Sequence, residues 1–193
     1  VSDALKDFLE MNGLSNIETV YNGLDMSVET QQAADEGFLN RLGLIGKKVL
    51  FLGGRISHAK GVYASIDAIV GIKNKISDVV LFFAGVSDDE KKKIEAYAEK
   101  LGVKDLIKVA GWLSKEEMIN AYAASNLVLV PSLYLDPFPN ANLEAALCKK
   151  PVVATCFGGS KEFVVDGKTG YIVNPYDKEA LVAKIIDLLA DKN

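Results

Sequence analysis

The 193-residue chain is 49% hydrophobic and 25% charged, a soluble globular balance, and no apolar run approaches the roughly 20 residues that a membrane-spanning helix needs. A formal net charge of -4 argues against a general nucleic-acid binder, so any anion site must be local. Cys148 and Cys156 stand without CxxC spacing or companion histidines, which points away from zinc and toward buried free thiols in a reducing, cytoplasmic setting.

In chain order, Ser2 to about Asn12 reads as a helix and Ile17 to Tyr21 as a strand, ahead of an Asn22-Gly23 turn. This opening fits the remaining pattern poorly, so residues 1–21 are expected to be the tail of a neighbouring N-terminal domain plus a hinge strand. Val1 to Leu9 is charged and amphipathic rather than a signal-peptide core, and a chain that opens without methionine is expected to be a piece of a longer protein. Met26 to Gly43 reads as a connector entering the next domain through a short helix.

From Lys48 onward short apolar runs alternate with helical stretches, the pattern of a parallel sheet covered on both faces. The expected strands are Val49–Leu52, Val79–Phe83, Leu106–Val109, Leu127–Val130, Val152–Ala154 and Tyr171–Val173. Residues 22–193 thus read as an α/β, Rossmann-like three-layer domain with a parallel sheet of about six strands. Ser87-x-x-Glu90 and Ser114-x-x-Glu117 carry helix-start spacing, and Asp177 is placed to cap the last helix. In that helix Leu181, Ile185 and Leu188, with Val182, Ile186 and Leu189, form a broad apolar stripe for packing on the sheet.

In an open parallel sheet ligands bind beyond the carboxyl ends of the strands. The loop after the first strand runs Gly53-Gly54-Arg55 to Lys60-Gly61. Its glycines allow close backbone approach, and a guanidinium with an ammonium can together neutralise a diphosphate, although an exposed polar loop explains the spacing equally well. His58 reads as merely solvated. The loop Pro131 to Glu144 places two carboxylates eight positions apart, Asp136 in the loop and Glu144 in the following helix; such groups accept from sugar hydroxyls, or merely complement a helix dipole. Gly111-Trp112-Leu113 and Phe157-Gly158-Gly159 are either ligand-facing or ordinary loop closures, with Trp112 expected to be half-buried.

Together and in this order, the motifs resemble the C-terminal domain of GT-B-fold glycosyltransferases of family 4, also called group 1 transferases. They are Tyr21-Asn22-Gly23-Leu24-Asp25, Gly54-Arg55 through Lys60-Gly61, Pro131-Ser132, Asp136-Pro137-Phe138 through Leu143-Glu144-Ala145, and Lys150 to Thr155 running to Gly158-Gly159, over about residues 17–193. The resemblance implies that Arg55 and Lys60 hold the donor's diphosphate, with Gly54 also at the donor, and that Glu144 binds the ribose hydroxyls. Asp136 and the backbone of Phe138, Pro139, Asn140 and Ala141 would face the donor sugar, and backbone near Trp112 and Leu113 the base. It further implies hexosyl transfer with retention at the anomeric carbon, with Arg55, Lys60 and Asp136 catalytic and no metal or other cofactor.

The partners so implied are a nucleotide-diphosphate sugar, the missing N-terminal domain and that domain's acceptor, a polysaccharide or glycolipid. Nucleic acid is not among them. The missing half would set any peripheral contact with the inner face of a membrane, and this chain alone would bind without catalysing. Two departures stand out: the family usually has glutamate where Asp136 is one methylene shorter, and Pro139 stands where many members have glycine. A non-catalytic nucleotide-binding or regulatory module ranks second. An NAD-dependent enzyme or nucleotide-sugar epimerase ranks low, because Gly53-Gly54-Arg55 does not supply a GxGxxG turn. A lyase or phosphorylase shares the architecture at fold level.

Overall fold

A computed structural model describes residues 2–24 and 33–190. Asp25 of the hinge-like motif and Met26 of the connector lie outside the described residues. Six strands, β1 (Lys48–Leu52), β2 (Val79–Phe83), β3 (Ile107–Val109), β4 (Leu127–Val130), β5 (Val152–Thr155) and β6 (Gly170–Val173), form one sheet in the order β3-β2-β1-β4-β5-β6. Every neighbouring pair is parallel. The chain walks outward from β1 to β3 and then fills the other half from β4, so the order reverses between β1 and β4. That reversal opens a crevice at the carboxyl ends of those two strands.

The strands read as continuous apolar runs because both faces of the sheet are covered. In β1, Leu50 and Leu52 enter a core shared with α3 (Val62–Ile72), α4 (Asp88–Lys100) and α7 (Lys178–Ala190). The alternate residues Val49 and Phe51 enter the core beneath α2 (Glu36–Leu42), α5 (Lys115–Ala124) and α6 (Asn140–Leu147). Each fully buried side chain of this size stabilises by about 1.5–3 kcal/mol. The stripe expected on α7 packs as read, with Leu181, Ile185 and Leu189 buried and Val182, Ile186 and Leu188 at its margin. Among the described residues no helix is long and apolar enough to cross a membrane.

Helix starts follow the sequence with one difference. Ser114 and Glu117 form the reciprocal cap, each side chain accepting the other's backbone N–H at 3.2 and 3.0 Å. Ser87 makes only half of it, accepting from Glu90 N at 3.4 Å while the Glu90 carboxylate turns to Lys93 at 2.6 Å. Asp177 accepts from Ala180 N at 2.9 Å. The third strand starts at Ile107 because Lys104–Leu106 forms a 3-10 turn.

The opening segment corrects the sequence reading. The helix forms, as α1 (Asp3–Met11), but Ile17 to Tyr21 belongs to no strand of the sheet, and Asn22-Gly23 adopts no turn. Side chains rather than a ladder anchor it: the Tyr21 hydroxyl donates to Glu162 at 3.0 Å and its ring lies 5.1 Å from that of Phe138. Asn22 Nδ2 donates to Asn140 Oδ1 at 3.0 Å. The Glu162 carboxylate also accepts the N–H groups of Asp3 and Ala4, both at 2.8 Å, so α1 rests its positive end on this domain. Phe8 and Met11 remain 48% and 87% exposed, an apolar face that nothing described covers. Cys148 and Cys156 are free thiols but half-buried rather than buried.

Candidate functional site

The crevice between β1 and β4 is a cleft of about 520 Å³ whose walls include Gly54, Arg55, Lys60, Pro139, Asn140, Ala141 and Glu144. Two βα loops build it. The first leaves β1, makes a 3-10 turn over His58–Lys60 and enters α3 through Gly61, whose φ is +77°. A side chain at Gly61 would stand 2.1 Å from the Pro131 carbonyl of the second loop, so only glycine permits this approach. Leu133 N donates to the Ala59 carbonyl at 2.8 Å and ties the loops together. Arg55 is exposed and its guanidinium makes no hydrogen bond or ion pair with any described residue.

The second loop delivers Asp136, which the sequence reading turns toward a sugar. Its carboxylate is instead 5% exposed and does not line the cleft. Oδ2 accepts from Lys60 Nζ at 2.6 Å, Ser132 Oγ at 2.8 Å and the Tyr134 hydroxyl at 3.1 Å. The Lys60 ammonium also sits 5.3 Å from the Tyr134 ring centroid. Burial works against the charge on Lys60, but the hydrogen bond it donates to Asp136, together with the interaction with Tyr134, outweighs that, so its pKa is raised above the usual lysine value. Lys60 is thus held in a fixed position at the cleft wall, where its side chain remains 33% exposed. Pro131-Ser132 is one of the quoted motifs, but nothing in the sequence pairs Ser132 or Tyr134 with Asp136; only folding shows them converging on one oxygen.

α6 begins at Asn140, and Pro139 before it offers no side-chain acceptor, so the first-turn amides have no side-chain cap at the cleft wall. That end carries the positive pole of the helix dipole. One turn on, Glu144 faces the cleft, and its Oε2 accepts from the Tyr122 hydroxyl of α5 at 2.5 Å. The cleft therefore combines one unpaired guanidinium, one held ammonium, an uncapped helix start and one carboxylate. This set suits an anion joined to a hydroxyl-bearing group.

The other expected residues stand outside the cleft walls. Phe138 is buried, its ring 5.1 Å from Tyr21 and 6.3 Å from Phe163. Trp112 is 72% exposed rather than half-buried, and Leu113 packs on the core under α5. Their loop still abuts the site through Gly85, which donates to the Gly111 carbonyl at 2.8 Å and passes so near Gly54 that a side chain there would meet its carbonyl at 2.0 Å. The Gly158-Gly159 pair closes on Asp136 instead of a ligand, Gly159 N donating to the Asp136 carbonyl at 2.9 Å. His58 is exposed, 5.7 Å from the Tyr63 ring.

The cationic, carboxylate-bearing cleft lies at the switch point of a Rossmann-like sheet, which is where open α/β sheets of this kind take their ligands. The family of glycosyl transferases group 1 matches residues 41–193, and the chain belongs to that family. Spore coat protein SA of Bacillus subtilis is 28% identical over 189 residues, covering 91% of this chain and 50% of that protein. The structure of Anabaena HepE in complex with UDP superposes with a TM-score of 0.84 at 26% identity, over 100% of this chain and 53% of that one. The C-terminal domain of a group 1 family glycosyl transferase (LpcC) from Francisella tularensis superposes with a TM-score of 0.72 at 26% identity, over 88% of this chain and 89% of that one. The chain spans about half the length of the curated relatives it matches.

Proposed function

We propose that this chain is the donor-binding half of a GT-B hexosyltransferase of family 4, taking a nucleotide-diphosphate sugar for transfer with retention at the anomeric carbon. The observation that carries the reading is the convergence of Arg55, Lys60, Glu144 and the uncapped start of α6 on one cleft of about 520 Å³ at the switch point. A cleft of several hundred Å³ suits a ligand of that size. The UDP complex of the Anabaena relative supports a nucleoside diphosphate as the common element.

In this reading the diphosphate lies against Arg55 and Lys60, whose charges stabilise it as it departs, so no metal ion is needed. Glu144 accepts from the ribose. Asp136 acts by holding Lys60 through Oδ2. Acceptor groups come from the half that precedes this chain, which works on the cytoplasmic side and makes any membrane contact. In the full-length enzyme Arg55→Ala and Lys60→Ala are each expected to lower kcat by about 100- to 1000-fold, the usual effect of removing one donor that stabilises developing charge. Near-wild-type turnover in either variant would overturn the assignment.

A further inference from the structure

Glu144 does not stand alone on α6. Tyr122 is 3% exposed, and its ring meets Phe51 edge-on at 5.0 Å and 86°, so the ring cannot swing without disturbing the core under the sheet. Its neighbourhood is fixed as well, since Ser125 Oγ donates to the Tyr122 carbonyl at 2.7 Å. The hydroxyl has one partner, Glu144 Oε2 at 2.5 Å, a separation typical of an O–H group donating to a charged oxygen. Glu144 Oε1 takes no hydrogen bond from any described residue. Glu144 also contributes to the wall of the cleft.

We propose that Tyr122 is a positioning residue: it occupies Oε2, fixes the Glu144 rotamer and leaves Oε1 as the one acceptor offered to the ribose, so that the cleft selects nucleotides bearing ribose hydroxyls. The inference rests on the reading of the cleft as a nucleotide site. A flexible glutamate would lose rotamer freedom on each binding event; Tyr122 removes that freedom in advance. A ligand without ribose hydroxyls would cover Oε1 without supplying a donor, which is how a polar site rejects an analogue that lacks one.

The test uses this chain and titration calorimetry with UDP, ADP and GDP. The tightest binder is compared with its 2′,3′-dideoxy analogue in wild type, Tyr122→Phe, Glu144→Ala and the double variant. Wild type is expected to favour the ribonucleotide by about tenfold or more, and Tyr122→Phe to weaken the ribonucleotide about tenfold while moving the dideoxy analogue by less than about twofold. In the Glu144→Ala background the tyrosine substitution is expected to change neither, because it acts only through the carboxylate. Equal weakening of both ligands, or the same loss in the Glu144→Ala background, would reduce Tyr122 to a packing residue and overturn the proposal. A wild-type preference that survives in Tyr122→Phe would overturn it while leaving Glu144 as the ribose acceptor. No preference in wild type would overturn both.

Discussion

Replacing Asp136 with alanine removes the oxygen on which Lys60, Ser132 and Tyr134 converge. Losing one partner of a fully buried ion pair costs about 3–5 kcal/mol, whereas an exposed pair contributes about 0–1 kcal/mol. Lys60 keeps 33% side-chain exposure and can partly rehydrate, which sets its share between those limits at about 2 kcal/mol. Ser132 is 0% exposed and cannot rehydrate, so its lost acceptor adds about 1–2 kcal/mol. The sum, about 3–4 kcal/mol, corresponds to a fall in Tm of about 10 °C for a domain of this size. Asp136→Asn keeps the volume and one acceptor oxygen and is expected to cost about half as much. Thermal unfolding followed by circular dichroism at neutral pH reads both values. A fall of less than about 2 °C in Asp136→Ala would refute the view that this network organises the Lys60 loop.

Gly61→Ala puts a Cβ 2.1 Å from the Pro131 carbonyl at a φ of +77°, and is expected to destabilise by more than about 2 kcal/mol, read as a lower urea midpoint; an unchanged midpoint would contradict the described contact between the loops. Glu162→Ala removes the acceptor of the Asp3 and Ala4 amides and of the Tyr21 hydroxyl. Amide exchange should then accelerate across Asp3–Met11 while the strands keep their protection, and uniform acceleration would show that α1 is integral to the core. Burial, and then the Glu144 carboxylate, push the Tyr122 pKa well above 10.0. A raised folded-state pKa gives stability that is complete below the unfolded value and lost as pH rises through the folded one. Stability should therefore fall above about pH 10, and Tyr122→Phe should flatten that decline by up to about 1.4 kcal/mol per pH unit, read from urea unfolding. An identical decline in both proteins would remove Tyr122 from that linkage.

The sheet was legible because its strands are covered on both faces and so appear as uninterrupted apolar runs such as Val79–Phe83. Helix starts were legible where the signal is local, as at Ser114 and Asp177, and incompletely so at Ser87, where Lys93 competes for the Glu90 side chain. The strand expected at Ile17 to Tyr21 fails because β-branched and aromatic residues favour extended backbone without supplying a partner edge; the Tyr21 side chain engages Glu162 and Phe138 instead. Arg55, Lys60 and Glu144 could be singled out because each lies on a loop or helix start that follows a strand, on the side where such folds bind ligands. The partners of the site were not legible. Tyr122 meets Glu144 across 22 positions and Lys60 meets Asp136 across 76, and those separations close only through the order of the sheet.

The most direct test of the central claim is titration calorimetry of this chain with UDP, GDP and ADP without added metal, repeated on Arg55→Ala and Glu144→Ala. The account predicts that one diphosphate binds and that each substitution weakens it by about tenfold or more, the loss expected for one charged hydrogen-bond partner. Absence of binding by all three at millimolar concentration, or binding that neither substitution changes, would contradict the assignment of the cleft to a nucleotide-sugar donor.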